Sequence, residues 1–118
     1  MVQNKESQEI WGNLMLFLKH NTGRKPADIK GVLFLIGVQE LGKGNIPFSK
    51  EEKQDLMHIA TCKVLSYGGY YELDGLDAEG WPHWRVIKAL PSVDFMSQES
   101  LLKEYIITYF RKEIGVHI

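Results

Sequence analysis

Apolar residues recur every three to four positions over most of this chain. From Lys5 to His20, the residues Ile10, Trp11, Leu14, Met15, Phe17 and Leu18 fall on one face, which predicts an amphipathic helix. Leu16 is the exception, on the polar side. Lys19 and His20 suit the negative end of the last turn, and Gly23 suits the stop. Pro26 fits the first position of a second helix, with Asp28 as a first-turn carboxylate. The run Ile29–Leu41 is apolar nearly all round, as in a helix buried on most sides. A central strand over "VLFLI" is the rival reading; the proline start, the Gly42 stop and the length favour helix.

Ser49 and Glu52 have the spacing of a capping box, so a third helix starts there and runs to about Tyr67. Leu56, Met57, Ile59, Ala60, Val64 and Tyr67 form its apolar face, and Gly68-Gly69 ends it. The pattern then changes. "YYEL" and "WRVIKAL" read as short strands around the turn signal "DGLDAEG", so a small β-hairpin is expected, with an ordered irregular loop as the alternative. Ser97 is placed to cap a last helix reaching about Ile114, with Leu101, Leu102, Tyr105, Ile106, Tyr109 and Phe110 as its stripe. The expected fold class is therefore mainly α: a four-helix compact domain with a small β-hairpin between helices three and four. One domain, residues 1–118, accommodates all of it.

Composition changes this picture little. The chain is 44% hydrophobic and 25% charged, with net charge −1. That balance lacks the basic excess of a nucleic-acid binder. Lys19, Arg24, Lys25 and Lys30 are the one foothold for a basic face. A single cysteine, Cys62, forms no intrachain disulfide. The polar start "MVQNKESQEI" has no signal-peptide core, and no apolar stretch is long enough to span a bilayer. These features point to a cytoplasmic protein without a membrane partner.

Gly37 to Lys43 reads G-x-x-x-x-G-K, most of a phosphate-binding P-loop. The motif also needs a Ser or Thr for Mg²⁺ and must open directly into a helix. Here that position is Gly44, Pro47 blocks a helix starting there, and the motif ends a helix instead of beginning one. Nucleotide binding is not expected. On the helical wheel the useful residue is Glu40, a carboxylate on an apolar face between Ile29, Leu33 and Ile36. Lys63 is placed similarly on the third helix. A buried charge demands a partner, so a structural ion pair Glu40–Lys63 is expected. His58, or a Trp or Tyr donor, is the alternative partner for Glu40, and the alternative for both charges, above all for Lys63, is snorkelling to the surface near the helix ends.

His58 and Cys62 have the i, i+4 spacing of metal ligands but lie away from the main apolar face, with no third ligand near in sequence. "DGLDAEG" imitates part of a calcium loop, yet Gly75 and Ile87 fall where acidic ligands belong. No metal and no cofactor are expected. The densest cluster is "YYELDGLDAEGWPHW". Tyr70, Tyr71, Asp74, Asp77, Trp81 and Trp84 are the candidate binding residues, since Trp and Tyr beside carboxylates favour interfaces and pockets. Glu72 and His83 could face each other across the hairpin and do acid–base work. With Glu40 and His58 they are the catalytic candidates. The simpler reading is that the aromatics pin the hairpin to the helices.

The strings "FLIGVQELGKG", "KQDLMHIA", "YYEL" and "GWPHW" resemble a small uncharacterised bacterial protein family, over Leu33 to Phe110. The resemblance implies a cytoplasmic bacterial setting and brings no activity or cofactor with it. Two functions follow as expectations. The first is a non-enzymatic interaction module that uses the hairpin surface and self-associates or takes a protein partner. The second is a small enzyme or ligand-binding protein in which Glu40, His58, Glu72 and His83 share a pocket.

Overall fold

The computed structural model describes residues 5–44, 46–91 and 95–118. The elements are α1 (Lys5–Thr22), α2 (Ile29–Leu41), α3 (Lys50–Ser66), β1 (Tyr71–Leu76), β2 (Pro82–Val86) and α4 (Phe95–Tyr109). The fold is thus four helices with a two-stranded antiparallel hairpin between α3 and α4. After α4 the chain widens into a π turn over Phe110–Ile114, closed by Gly115 at φ 81°. Among the described residues, no helix is long and apolar enough to cross a membrane.

The chain divides into two compact units. The first joins Met1–Ala27 to Leu90–Ile118. Here Leu14, Leu18, Ile106 and Tyr109 are buried, and the rings of Phe17 and Phe110 meet edge to face at 6.5 Å. Lys103 holds its ammonium 5.1 Å from the Trp11 ring centroid.

The second unit, Asp28–Ala89, carries α2, α3 and the hairpin. Its cluster is Leu41, Leu56 and Ile59, with Phe34, Val38, Phe48, Trp81 and Trp84 packed against it. The helix α2 begins later than the Pro26 start expected from sequence. Asp28 is extended (φ −155°) and its side chain accepts from the Gly31 N–H, so it is the N-cap and not a first-turn carboxylate. Lys30 and Gln39 are the exposed positions of α2, as the all-round apolar run predicts. Gly42, at φ 73°, ends the helix in the left-handed conformation that glycine adopts without a Cβ penalty. The capping box at Ser49 and Glu52 forms in both directions.

Gly37 is buried where α2 crosses α3, and a Cβ there would fall 2.7 Å from the Leu56 carbonyl carbon. The first glycine of the P-loop-like string therefore serves close helix packing. Leu41 joins Leu56 and Ile59, and Glu40 reaches Lys63. Phe48 lies back at the level of Phe34, their rings 6.2 Å apart.

Three further sequence expectations are corrected. The second strand begins at Pro82 and ends at Val86, where "WRVIKAL" placed it later, because Trp81 to Pro82 already closes the turn. The helix α4 starts at Phe95, so Ser97 lies inside it and not at its cap position. Cys62 is fully buried, not off the apolar face. The reason is that α3 is covered by α2 on one side and by both strands on another, so its buried surface is no single stripe.

Candidate functional site

The hairpin turn is organised by Asp77. Its Oδ1 accepts the N–H groups of Glu79 and Trp81, both at 2.9 Å, and its backbone N–H donates to the Trp81 carbonyl. This is the Asx geometry that makes aspartate a turn residue. Its Oδ2 pairs with His83 Nε2 at 3.0 Å. The His83 hydrogen bond first, and the Trp81 N–H second, hold the Asp77 carboxyl below its ordinary value. Lys43 reaches across from the end of α2, its ammonium donating to the Glu79 carbonyl at 2.6 Å. The lysine of the P-loop-like string thus ties α2 to the hairpin.

Trp81 and Trp84 are half-buried and pack on Leu41, Leu56 and Ile59, which folds the turn back over the start of α3. Between them lies a cavity of about 450 Å³. Its walls bring Glu52, Asp55 and His58 of α3 opposite Asp77, Glu79 and His83 of the hairpin, with the two tryptophans between. Glu52 is engaged, since its Oε1 accepts the Ser49 N–H at 2.8 Å. The side chains of Asp55 and Glu79 carry no hydrogen bond among the described residues. The indole N–H of Trp84 is buried with no partner among them. Such a donor costs on the order of 1–3 kcal/mol.

The predicted site residues divide accordingly. His58, His83, Asp77, Trp81 and Trp84 come together in this cavity. Glu40 does not join them: it lies 4.0 Å from Lys63, both side chains about three-quarters covered. Glu72 does not face His83 either. The register sets Glu72 against Arg85, with which it forms an ion pair, and sets His83 against Gly75. Glu72 is already two residues out of register with His83, and a bulge between Leu73 and Gly75 leaves Asp74 unpaired, so that His83 meets Gly75. Tyr70 lies under the Lys88 ammonium, 4.7 Å from its ring centroid, and Tyr71 is half-buried opposite Val86. Neither lines the cavity.

The same bulge has a second effect. It brings Leu73 and Leu76 to one face with Trp84, Pro82 and Val86. Trp84 is covered there, while Leu73, Leu76 and Val86 remain 50%, 67% and 62% exposed. The two tryptophans pin the hairpin to the core, and the aliphatics are what solvent meets on this face. Sequence reasoning missed Glu52 and Asp55. Their spacing with Ile59 marks one stripe of α3, but nothing in the sequence says that the hairpin covers it.

Chemically, the cavity presents carboxylates from two elements beside indole rings. It suits a cationic or hydrogen-bond-donating group. Cys62, whose Sγ is 3.7 Å from His58 Nε2, is no ready nucleophile: burial pushes its thiol up to about 11. No group of three or more His, Cys, Asp or Glu among the described residues is placed to hold a metal ion.

Fold and site together define a four-helix protein whose hairpin closes an acidic, aromatic groove over α3. Comparison with protein-family models, with curated proteins and with solved structures finds no match for this chain.

Proposed function

We propose that this chain is a non-enzymatic interaction module and that the hairpin is its docking element. The observation that carries this reading is the apolar face of Leu73, Leu76 and Val86, left open on a hairpin rich in carboxylates. A two-stranded hairpin also has free edges, and exposed aliphatics beside such an edge favour association with another chain. A single, buried cysteine is compatible with a reducing compartment, and the proposal keeps the cytoplasmic setting expected from the sequence.

The test is site-specific photo-crosslinking in cells. A photoreactive phenylalanine replaces Leu76, and in a second protein it replaces Leu16 of α1, which is equally exposed at 65%. Adducts at position 76 and not at position 16 support the reading. Equal labelling at both, or none at 76, contradicts it.

A second reading rests on His58 and His83 sharing one cavity with Asp55 and Glu79. In it, the groove binds a small cationic ligand. A thermal-shift screen of amines and guanidines separates the two. A stabilising hit lost in Asp55→Asn favours the ligand site, and a flat screen removes it.

A further inference from the structure

Two surfaces of the Asp28–Ala89 unit complement each other in chemistry. The first is the hairpin, where Leu73 and Leu76 are exposed among acids and no basic residue occurs between Tyr71 and Pro82. Glu72 is committed to Arg85, and Asp77 to the turn and His83. The carboxylates of Asp74 and Glu79 carry no such bond among the described residues.

The second surface is a groove of about 640 Å³ on the other side of α3. Phe34, Ile46, Phe48 and Met57 line it, and Lys30 and Lys53 are the charged residues in its wall. The edge-to-face packing of Phe34 on Phe48 builds its floor in advance. Among the described residues, no carboxylate lines it. Lys30 and Lys53 each stand in the first turn of a helix, where the backbone dipole adds to their positive potential. Neither ammonium is engaged by another side chain among the described residues.

Exposed leucines with free carboxylates on the same hairpin are the chemical counterpart of an apolar wall with free ammoniums at its edge. The geometry points to a second copy of this chain as the hairpin's partner: Leu73 and Leu76 of one copy seat on Phe34 and Phe48 of the other, and Asp74 and Glu79 meet Lys30 and Lys53. This inference rests on the hairpin being the docking element, and it names the occupant. Donor and acceptor are different surfaces, so the contact is heterologous. Exchanged reciprocally it closes a pair; made one way it extends a chain.

Sedimentation velocity over a dilution series tests this with two charge-reversed proteins. One carries Lys30→Glu and Lys53→Glu; the other carries Asp74→Lys and Glu79→Lys. All four positions are exposed, and circular dichroism melts verify that both variants fold. The wild type associates as concentration rises, and added salt weakens it. Each variant alone loses association by at least about tenfold, since like charges now meet across the contact. Mixed in equal amounts, the two variants associate again, because every hairpin finds a groove of opposite charge. The inference is overturned if the wild type stays monomeric at every concentration, if either variant alone associates as the wild type does, or if the mixture stays monomeric. A monomeric wild type with crosslinks from position 76 to a different protein removes the second copy while leaving the hairpin reading intact. Absence of crosslinks from position 76 removes both.

Discussion

Replacing Gly37 with alanine puts two effects of known size in opposition. Alanine is a better helix former than glycine by roughly 0.5–1 kcal/mol, so an exposed mid-helix glycine gains stability on this change. Gly37 is not exposed. Its new methyl would stand 2.7 Å from the Leu56 carbonyl carbon and 2.9 Å from the Leu56 Cβ, on a helix backbone that has no rotamer to yield. Overpacking of this kind costs about 1–3 kcal/mol, and the upper half of that range applies where backbone must move. The balance is a net loss of about 1–2 kcal/mol, or a fall in Tm of very roughly 4–8 °C for a chain of this size. Gly12 of α1 is the internal control, because nothing lies within 4 Å of a Cβ built there. Gly12→Ala should stabilise by up to about 1 kcal/mol. Urea unfolding of the two variants, read by tryptophan fluorescence and circular dichroism, gives the pair of values. If Gly37→Ala is neutral or stabilising, α2 and α3 do not approach at Leu56 and the packing account of this glycine is wrong.

Cys62 should resist a thiol reagent in the native protein at pH 8 and react at the rate of opening, because it is fully buried and its thiol titrates near 11. With the folded value above the ordinary 9.0, the unfolded chain loses its proton first, so stability should fall as pH rises from about 9 to 11; denaturation midpoints across that window check the sign. Asp77 has the opposite sense: its folded value lies below 3.8, so its contribution is present above that pH and lost in acid. The Glu79 and Trp81 amides should then exchange faster, and Asp77→Ala should reproduce that at neutral pH, as hydrogen exchange would show. Glu40→Gln should cost no more than about 1 kcal/mol, because the pair with Lys63 is long and partly solvated; a loss of several kcal/mol in urea would contradict the geometry.

The helices were readable in the sequence because each carries a local period and local punctuation. Ser49 with Glu52, Gly42, and Asp77 with Gly80 each announce a structure within four residues of themselves. The errors share a different cause. Cys62 and Leu65 are buried because α3 is covered from two directions, and a wheel drawn for one apolar face cannot show the second. Glu72 misses His83 by two residues, because the strands pair from Tyr71 with Val86, a register that no period reveals. Glu52 and Asp55 enter the groove only because two tryptophans fold the turn back over them. Gly37 and Lys43 looked like parts of a phosphate loop. In the fold one admits Leu56 and the other holds the hairpin turn, roles fixed by partners many residues away.

The account stands on the hairpin docking into the Lys30–Lys53 groove of a second copy. Hydrogen exchange of the wild type, in dilute and in concentrated solution, tests that most directly. The account predicts that amides of Tyr71–Leu76 and of Lys53–Met57 slow together on concentration, while α1 is unchanged. No slowing in either segment, or slowing in the hairpin alone, would contradict it.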